Sequence, residues 1–398
     1  MRVQKYGGKS LATIHHIKRI AERVAALHQS GESLIVVVSA MGQSTDELIR
    51  LAHQVSPRPL RREMDMLLTT GERVSMALMS IALNGFGCPA ISFTGSQAGV
   101  LTSESHSNAQ ITDIKPLRVE QALREGKVVV LAGFQGVSPQ RKEVTTLGRG
   151  GSDTTAVAMA AHFKAEICEI LKDVDGICSG DPKLVENTLR YSELPTDLVA
   201  NMCFWGAKVL HYRSVELAHS LKVPLFVGSA QQNQHGTLLK HEVFMYEEAK
   251  VIAVNSHAQV HHYKVESLSL AEAYQNLFSA TEALEVPPPQ ILASVKEVDH
   301  CRLMLTGDEV TLTALDQLSQ NPNQWGVTSL ARPLCSVTLS GYGLTTGTLL
   351  NEALAILQKE KVSVEKFLTQ NQSLSFFIPP EDRSRTISLL HRHFLGKP

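Results

Sequence analysis

The stretch Thr145–Lys183, TTLGRGGSDTTAVAMAAHFKAEICEILKDVDGICSGDPK, constrains the fold more than any other part of the chain. A short apolar lead enters the glycine turn Gly148-Arg149-Gly150-Gly151. Ser152-Asp153-Thr154-Thr155 then supplies helix N-cap residues ahead of the apolar run AVAMAAHF. Val157, Ala160 and Ala161 recur at helical spacing and predict a buried helix face. Ile167–Leu171 reads as a strand that runs into the acidic glycine turn Asp173-Val174-Asp175-Gly176. Strand, glycine turn, helix and strand form one βαβ unit, whose ligand-binding turns lie at the strand ends.

The charges of the first turn bear on its ligand. A helix N-terminus draws anions, and Arg149 adds a fork of donors suited to a carboxylate or phosphate. Asp153 would repel an anion there. A turn carrying both signs fits a zwitterion, its carboxylate on Arg149 and its ammonium on Asp153, which points to an amino acid. An Asp cap beside a surface Arg is the competing reading of the same spacing. Two look-alikes fail. Asp153 stands where a dinucleotide fingerprint needs its third glycine, and Gly8-Lys9-Ser10 lacks the leading glycine of a P-loop, having Val3 instead.

Elsewhere the same alternation recurs. Val3–Tyr6 predicts a first strand, ending in Gly7-Gly8, with a helix over Ser10–Leu27 whose face is Ile14, Ile17, Ala21, Val24 and Leu27. Lys5 beside a Gly-Gly turn is a phosphate device: backbone N–H groups approach oxygen while the ammonium supplies charge. Leu34–Val38 is a β-branched run that ends in Ser39, and Ser44-Thr45-Asp46 opens the next helix. Arg62–Leu83 is helical and carries Glu72 beside Gly71, a second candidate for an ammonium. Ala90–Phe93, Val128–Ala132 and Leu225–Val227 predict strands, Thr94–Gly99 a loop, Asp197–Leu221 a helical tract, and Gln231–Gly236 a closing loop. Strands alternating with helices predict a doubly wound, mainly parallel α/β sheet.

The last third changes rhythm. Strands are predicted at Val251–Val254, Ile291–Val295, Cys301–Leu305, Ser336–Leu339, Val364–Leu368 and Leu374–Ile378. Helices are predicted at Ala271–Ala283, Leu312–Leu318, Thr346–Gln358 and Glu381–Phe394. Two βαββα units in tandem predict a repeated ferredoxin-like α+β module with antiparallel sheets, which would pack sheet to sheet in a dimer.

Composition narrows the function. A net charge of −1 gives no basic footprint for nucleic acid, and no apolar run approaches a membrane span. Met1-Arg2 runs directly into a strand, leaving no signal peptide, and the six cysteines, without CxxC spacing, read as reduced residues of a cytoplasmic protein. His15-His16 and His261-His262 read as solvated, and no metal-ligand set is expected.

The stretches VQKYGGKSLA, VVVSAMGQSTDELIRLA, REMDMLLTTGERVSMALM, FTGSQAGVLT, VVVLAGFQGV, TTLGRGGSDTTAVAMAA, CEILKDVDGICSGDPK and WGAKVLHYRSVELA occur in order over nearly all of residues 1–235. Together they resemble the aspartate kinases of the amino-acid-kinase fold family. The C-terminal third is more loosely similar to that family's paired ACT modules, mainly in VTLSGYGL and TLLNEALAILQKEKVSVEKFL. The resemblance implies a catalytic domain over residues 1–240, a degenerate ACT-like module over 250–325 and a second over 334–398. It implies transfer of the γ-phosphoryl group of ATP, with Mg²⁺, to the side-chain carboxylate of L-aspartate. It also implies an amino-acid effector at the ACT-like modules and a homodimer or larger homo-oligomer.

Family roles map onto matching positions. Lys5, Tyr6, Gly7 and Gly8 would hold the transferring phosphoryl group, with Lys5, Gly8 and Asp153 catalytic. Ser39, Thr45, Glu72, Arg149, Gly151, Ser152 and Asp153 would hold aspartate. Lys172, Asp173, Cys178, Asp181, Lys183 and Lys208 would contact ATP. A carboxylate acceptor is already ionised near pH 7, so no general base is needed, and the lack of a catalytic His or Cys is no objection.

The departures are specific. Lys172 replaces a Thr or Ser, Cys178 a Tyr, Lys183 an Arg, and His211-Tyr212-Arg213 the common His-Pro-Arg. In the first regulatory repeat, Ser267–Glu272 replaces the usual Asp-Lys-Pro-Gly loop. These departures motivate an alternative, a non-catalytic amino-acid-binding regulatory protein with the same fold; a kinase for another carboxylate is a further reading, against which Glu72, Arg149 and Asp153 all match the family.

Overall fold

The computed structural model describes residues 1–231, 235–241, 249–267, 269–320, 327–329 and 333–396. It divides into two compact units: Met1–Ile177, Arg190–Cys203 and Lys208–Phe244 form the first, and Cys178–Leu189, Phe204–Ala207 and Met245–Pro398 the second.

The first unit opens with β1 (Arg2–Tyr6), α1 (Ile14–Gln29), β2 (Leu34–Val38), α2 (Ser44–Val55), α3 (Arg61–Gly85) and β3 (Ala90–Phe93). β4 (Val100–Thr102), β5 (Ile111–Ile114), α4 (Leu117–Arg124), β6 (Val128–Ala132), β7 (Gln135–Val137) and β8 (Val144–Thr146) follow. Next come α5 (Gly151–His162), β9 (Ile167–Lys172), the short strands β10 (Ile177–Cys178) and β11 (Arg190–Tyr191), and β12 (Glu193–Pro195). The series ends with α6 (Thr196–Phe204), α7 (Tyr212–Ser220), β13 (Leu225–Ser229) and β14 (Gly236–Lys240). Eight strands lie in the order β12-β14-β13-β9-β1-β2-β6-β3, parallel throughout except between β13 and β14. β1 lies at the centre, with Lys5 opposite Val37 of β2 and Ile170 of β9. β2 and β6 are buried along their whole length, as central parallel strands between helical layers must be.

Several expectations are corrected here. A 3₁₀ turn, Gly8–Leu11, precedes α1, so the first helix starts later than the pattern implied. Ile14, assigned to its apolar face, is 50% exposed, while Ile20 and Ala25 are buried instead. The tract 197–221 is two helices, broken at Gly206, whose φ of 101° excludes a helical residue. A small sheet, β5-β4-β7-β8, carried no sequence signal because its strands run to only three or four residues. The predicted loop 231–236 lies partly outside the described residues, and Gly236 opens β14. α3 is long and apolar enough to cross a membrane, but it carries Asp65 and Glu72 on its buried face.

The second unit contains β15 (Lys250–Val265), α8 (Leu270–Ala283), β16 (Gln290–Lys296), β17 (Cys301–Thr306), α9 (Glu309–Ser319) and β18 (Val327–Ser329). β19 (Leu334–Tyr342), α10 (Thr348–Lys359), β20 (Lys366–Gln370), β21 (Ser373–Ile378) and α11 (Arg383–Leu395) complete it. The expected strand 251–254 is thus only the start of a 16-residue strand. Its first part pairs with β19 and its last part with β17 and β18, so within the chain the two α+β repeats share one antiparallel sheet. A bulge between His257 and Val260 marks the join. Residues 321–325 of the first repeat, Leu268 in the loop before α8, and residues 397–398 lie outside the described residues. In that loop Ser269 caps α8 by accepting from the Glu272 N–H, while Ser267 Oγ donates to Glu272 Oε2. His261 is not solvated as expected: its ring bonds Asp316, and its side chain is 12% exposed. All six cysteines are free, and all but Cys178 are buried.

Candidate active site

The C-terminal ends of β1, β2, β6 and β9 share one edge of the parallel sheet, the edge where open α/β folds bind ligands. The backbone turns sharply there at Gly7 and Gly8. A Cβ on Gly8 would lie 2.6 Å from the Ala40 carbonyl, so only glycine permits this approach. α3 comes in on the other side of Ala40, where a Cβ on Gly71 would lie 2.8 Å from Ala40 Cβ. Its next residue, Glu72, is 4% exposed and accepts the Ala40 N–H at 3.0 Å through Oε1. Oε2 of Glu72 is buried and makes no hydrogen bond among the described residues. Burial pushes the carboxyl up to about 7, against the Ala40 N–H and the charge of Lys5.

Gly150, in the left-handed conformation at φ 71°, caps α5, so Ser152 and Asp153 lie inside the first turn rather than at the cap. An acid at that position is favoured by the helix dipole. α5 is buried on every side from Gly151 to Ala160, which is why no single apolar face marks it. A Cβ on Gly133 would lie 2.8 Å from Ser152 Cβ, so the end of β6 touches this turn directly.

Asp153 is 2% exposed. Lys5 Nζ lies 2.6 Å from its Oδ1, and Lys172 Nζ donates to its Oδ2 at 2.8 Å. Lys172 also donates to the Val209 carbonyl at 2.8 Å. Burial alone would raise the Asp153 carboxyl, but the charges of Lys172 and Lys5 hold it well below the usual carboxylate range. Burial likewise pushes the Lys5 ammonium below its ordinary value, with Asp153 opposing. Both oxygens of Asp153 are therefore occupied by lysines. This revises the expectation that Asp153 meets a ligand ammonium: the carboxylate with an oxygen to spare is that of Glu72.

The remaining expected residues fall as follows. Tyr6 is fully buried and its hydroxyl donates to Gln4 Oε1, so its side chain is turned into the core. Its carbonyl accepts the Ser39 N–H, which ties the ends of β1 and β2 together. Ser39 and Thr45 are half-buried, Arg149 and Lys208 are exposed, and Asp173 is exposed in an ion pair with Lys9 at 3.0 Å. Cys178, Asp181 and Lys183 belong to the second unit, where Asp181 Oδ1 accepts the Lys183 N–H at 2.9 Å.

Two further residues, to which the sequence assigned no role, brace the glycine turn. Arg213 donates to Asn108 Oδ1 at 2.7 Å, Leu147 O at 3.0 Å and Ala109 O at 3.2 Å. Asp65, fully buried, holds the loop before β5. His211 packs on Gly150, where a Cβ would lie 2.2 Å from His211 Cβ. Burial, then Arg213, push its imidazole down to about 4. Tyr212 is the first residue of α7 after His211, a position whose N–H needs no partner, so a helix tolerates Tyr or Pro there alike.

The amino acid kinase family matches residues 1–229. Aspartokinase from Corynebacterium efficiens is 39% identical over 403 residues, covering 98% of this chain and 95% of that protein. Aspartokinase from Geobacillus stearothermophilus is 48% identical over 258 residues, covering 65% of this chain and 63% of that protein. Among solved structures, E. coli aspartokinase III in complex with aspartate and ADP matches with a TM-score of 0.81, covering all of both chains at 22% identity. The chain belongs to the amino acid kinase family and, within it, to the aspartokinases.

Proposed function

We propose that this chain transfers the γ-phosphoryl group of ATP to the side-chain carboxylate of L-aspartate, giving 4-phospho-L-aspartate. The observation that carries the reading is the convergence of Lys5 and Lys172 on buried Asp153, beside the Gly7-Gly8 turn. Two ammonium groups at a glycine turn suit an anion rich in phosphate oxygens. Asp153 keeps them oriented before any ligand arrives, so neutralisation of the transferring group costs little reorganisation.

The amino acid would be held by opposite charges. Glu72 takes the ammonium on its spare oxygen, and Arg149 takes the α-carboxylate, with Ser39, Thr45, Gly151 and Ser152 lining the space between. The side-chain carboxylate is then the nucleophile, ionised without a base. Mg²⁺ would be held mostly by phosphates and water, with exposed carboxylates such as Asp173 contributing at most in part. Bound there, the ion would neutralise phosphate charge. Residues 1–240 would form the catalytic domain. The 250–325 and 334–398 modules would offer the site for an amino-acid effector and the contact for a homodimer.

Trapping the acyl phosphate with hydroxylamine tests the reading. Hydroxamate should form with ATP, Mg²⁺ and L-aspartate, and not with L-glutamate. No hydroxamate, together with aspartate binding that is indifferent to ATP in calorimetry, would favour the non-catalytic amino-acid binder. Repeating the assay with lysine, threonine and methionine identifies the effector.

A further inference from the structure

We infer that Asp65, His106 and Ser107 form a clamp that sets the Gly148–Gly151 turn and with it the grip of Arg149 on substrate; this rests on the reading of that turn as the amino-acid site. Asp65 is a positioning residue: it acts through a loop and touches no reactant.

Asp65 lies seven positions before Glu72 on the buried face of α3, so one helix face presents both carboxylates. The two do different work. Glu72 keeps one oxygen open, whereas every bond of Asp65 goes to protein. His106 Nδ1 lies 2.7 Å from Asp65 Oδ2, the Ser107 N–H donates to Oδ1 and Oδ2 at 3.1 and 3.2 Å, and Thr146 Oγ1 donates to Oδ1 at 2.5 Å. The carboxylate thereby ties the loop Ser103–Gln110 to β8, the strand that runs into the glycine turn.

The loop needs that anchor. Ser107 has φ 64°, a left-handed conformation that costs a non-glycine residue energy and persists only where its surroundings impose it. The Asp65 carboxylate, on the Ser107 N–H, imposes it. In this conformation the Ser107 carbonyl stands where a Cβ on Gly148 would come within 2.9 Å, so the loop lies directly against the turn. The next residues pass the constraint on. Asn108 Oδ1 and the Ala109 carbonyl accept from Arg213, which also holds the Leu147 carbonyl, and the Ala109 N–H donates to Thr146 O at 2.9 Å. Leu147 and Gly148 are thus held from both sides immediately before Arg149.

Hydrogen exchange on the full chain tests the clamp without any ligand. In Asp65→Asn, amides of 103–110 and 147–151 should exchange at least about tenfold faster, while those of β1, β2 and β9 stay unchanged. Unchanged exchange at 147–151, or loosening spread evenly over the first unit, overturns the inference. His106→Ala, at a partly exposed position of the loop, should give the same pattern at smaller amplitude. Ser107→Gly, which adopts positive φ without strain, should recover part of the Asp65→Asn change; a merely structural carboxylate would show no recovery. In the kinase assay Asp65→Asn should raise KM for L-aspartate about tenfold or more and leave KM for ATP within about twofold. An equal rise in both would sink the inference. If wild-type protein makes no hydroxamate, the proposed activity fails while the exchange pattern still decides the clamp.

Discussion

At the scale of single residues the site separates charge by pairing: Asp153 and Glu72 are both buried, and only Asp153 is flanked by two lysines. Asp153, between two lysines, is ionised at any working pH. Glu72, which accepts the Ala40 N–H and is not paired with a lysine among the described residues, holds its proton up to about pH 7. Its native carboxyl stands at about 7 against an ordinary 4.5, so the folded chain holds that proton more tightly than the unfolded one. Stability is therefore expected to fall as pH rises from about 4.5 to 7, by on the order of 3 kcal/mol from this group. Glu72→Gln should flatten that part of the stability curve, measured by urea unfolding across pH. An ammonium on the spare oxygen would reverse the shift. Aspartate binding at pH 7 should then release about half a proton, read by calorimetry in buffers of different ionisation enthalpy. No buffer dependence would remove Glu72 as the ammonium site. Lys5→Ala should lower kcat about a thousandfold, about 4 kcal/mol of transition-state stabilisation, with KM for aspartate little changed. A comparable loss in Lys172→Ala would identify the second lysine as an equal partner. Lys5 and Glu72 were legible because Lys5 lies two positions before a Gly-Gly turn and Glu72 directly follows a glycine in an otherwise regular pattern. Asp65 and Arg213 were not, because their partners lie up to 81 and 105 positions away in the chain.

At the scale of elements, glycine placement decides how closely strand ends and helices meet. α3 makes the comparison within one helix. A Cβ on Gly71 meets Ala40 Cβ at 2.8 Å, whereas one on Gly85 meets nothing within 4 Å. Gly71→Ala is expected to cost about 1–3 kcal/mol and to displace Glu72, and Gly85→Ala to be neutral or stabilising by up to about 1 kcal/mol. Thermal melts of the two variants check this, and a Gly71→Ala protein as stable and active as wild type would contradict the packing described. The apolar runs β2 and β6 could be read directly because continuous burial leaves a continuous pattern. The break in the helical tract 197–221 could not. Gly206 alone does not forbid a helix in sequence; it does so here because its φ is 101° and a Cβ would lie 2.3 Å from the Ser256 carbonyl.

At the scale of the whole molecule, the second unit raises the question of whether its two repeats are separable. One face of the shared sheet carries two clusters. Tyr263, Leu277, Leu303 and Leu315 belong to the first repeat, and Val337, Leu357, Phe376 and Leu390 to the second. On that face the repeats have separate cores. The other face carries a single cluster in which Val260, Leu292 and Met304 of the first repeat meet Leu334 and Phe377 of the second around fully buried Trp205. The repeat pattern in sequence showed two modules, but Trp205 lies nearly fifty positions before them, so nothing local announced that it joins them. A shared strand and a shared cluster make the unit one cooperative block. Trp205→Ala should cost about 3–5 kcal/mol. It should also speed hydrogen exchange in β17 and β21 together, whereas Leu277→Ala, inside one cluster, should act first on β17. If Trp205→Ala loosens one repeat and spares the other, the two fold independently despite the shared strand β15.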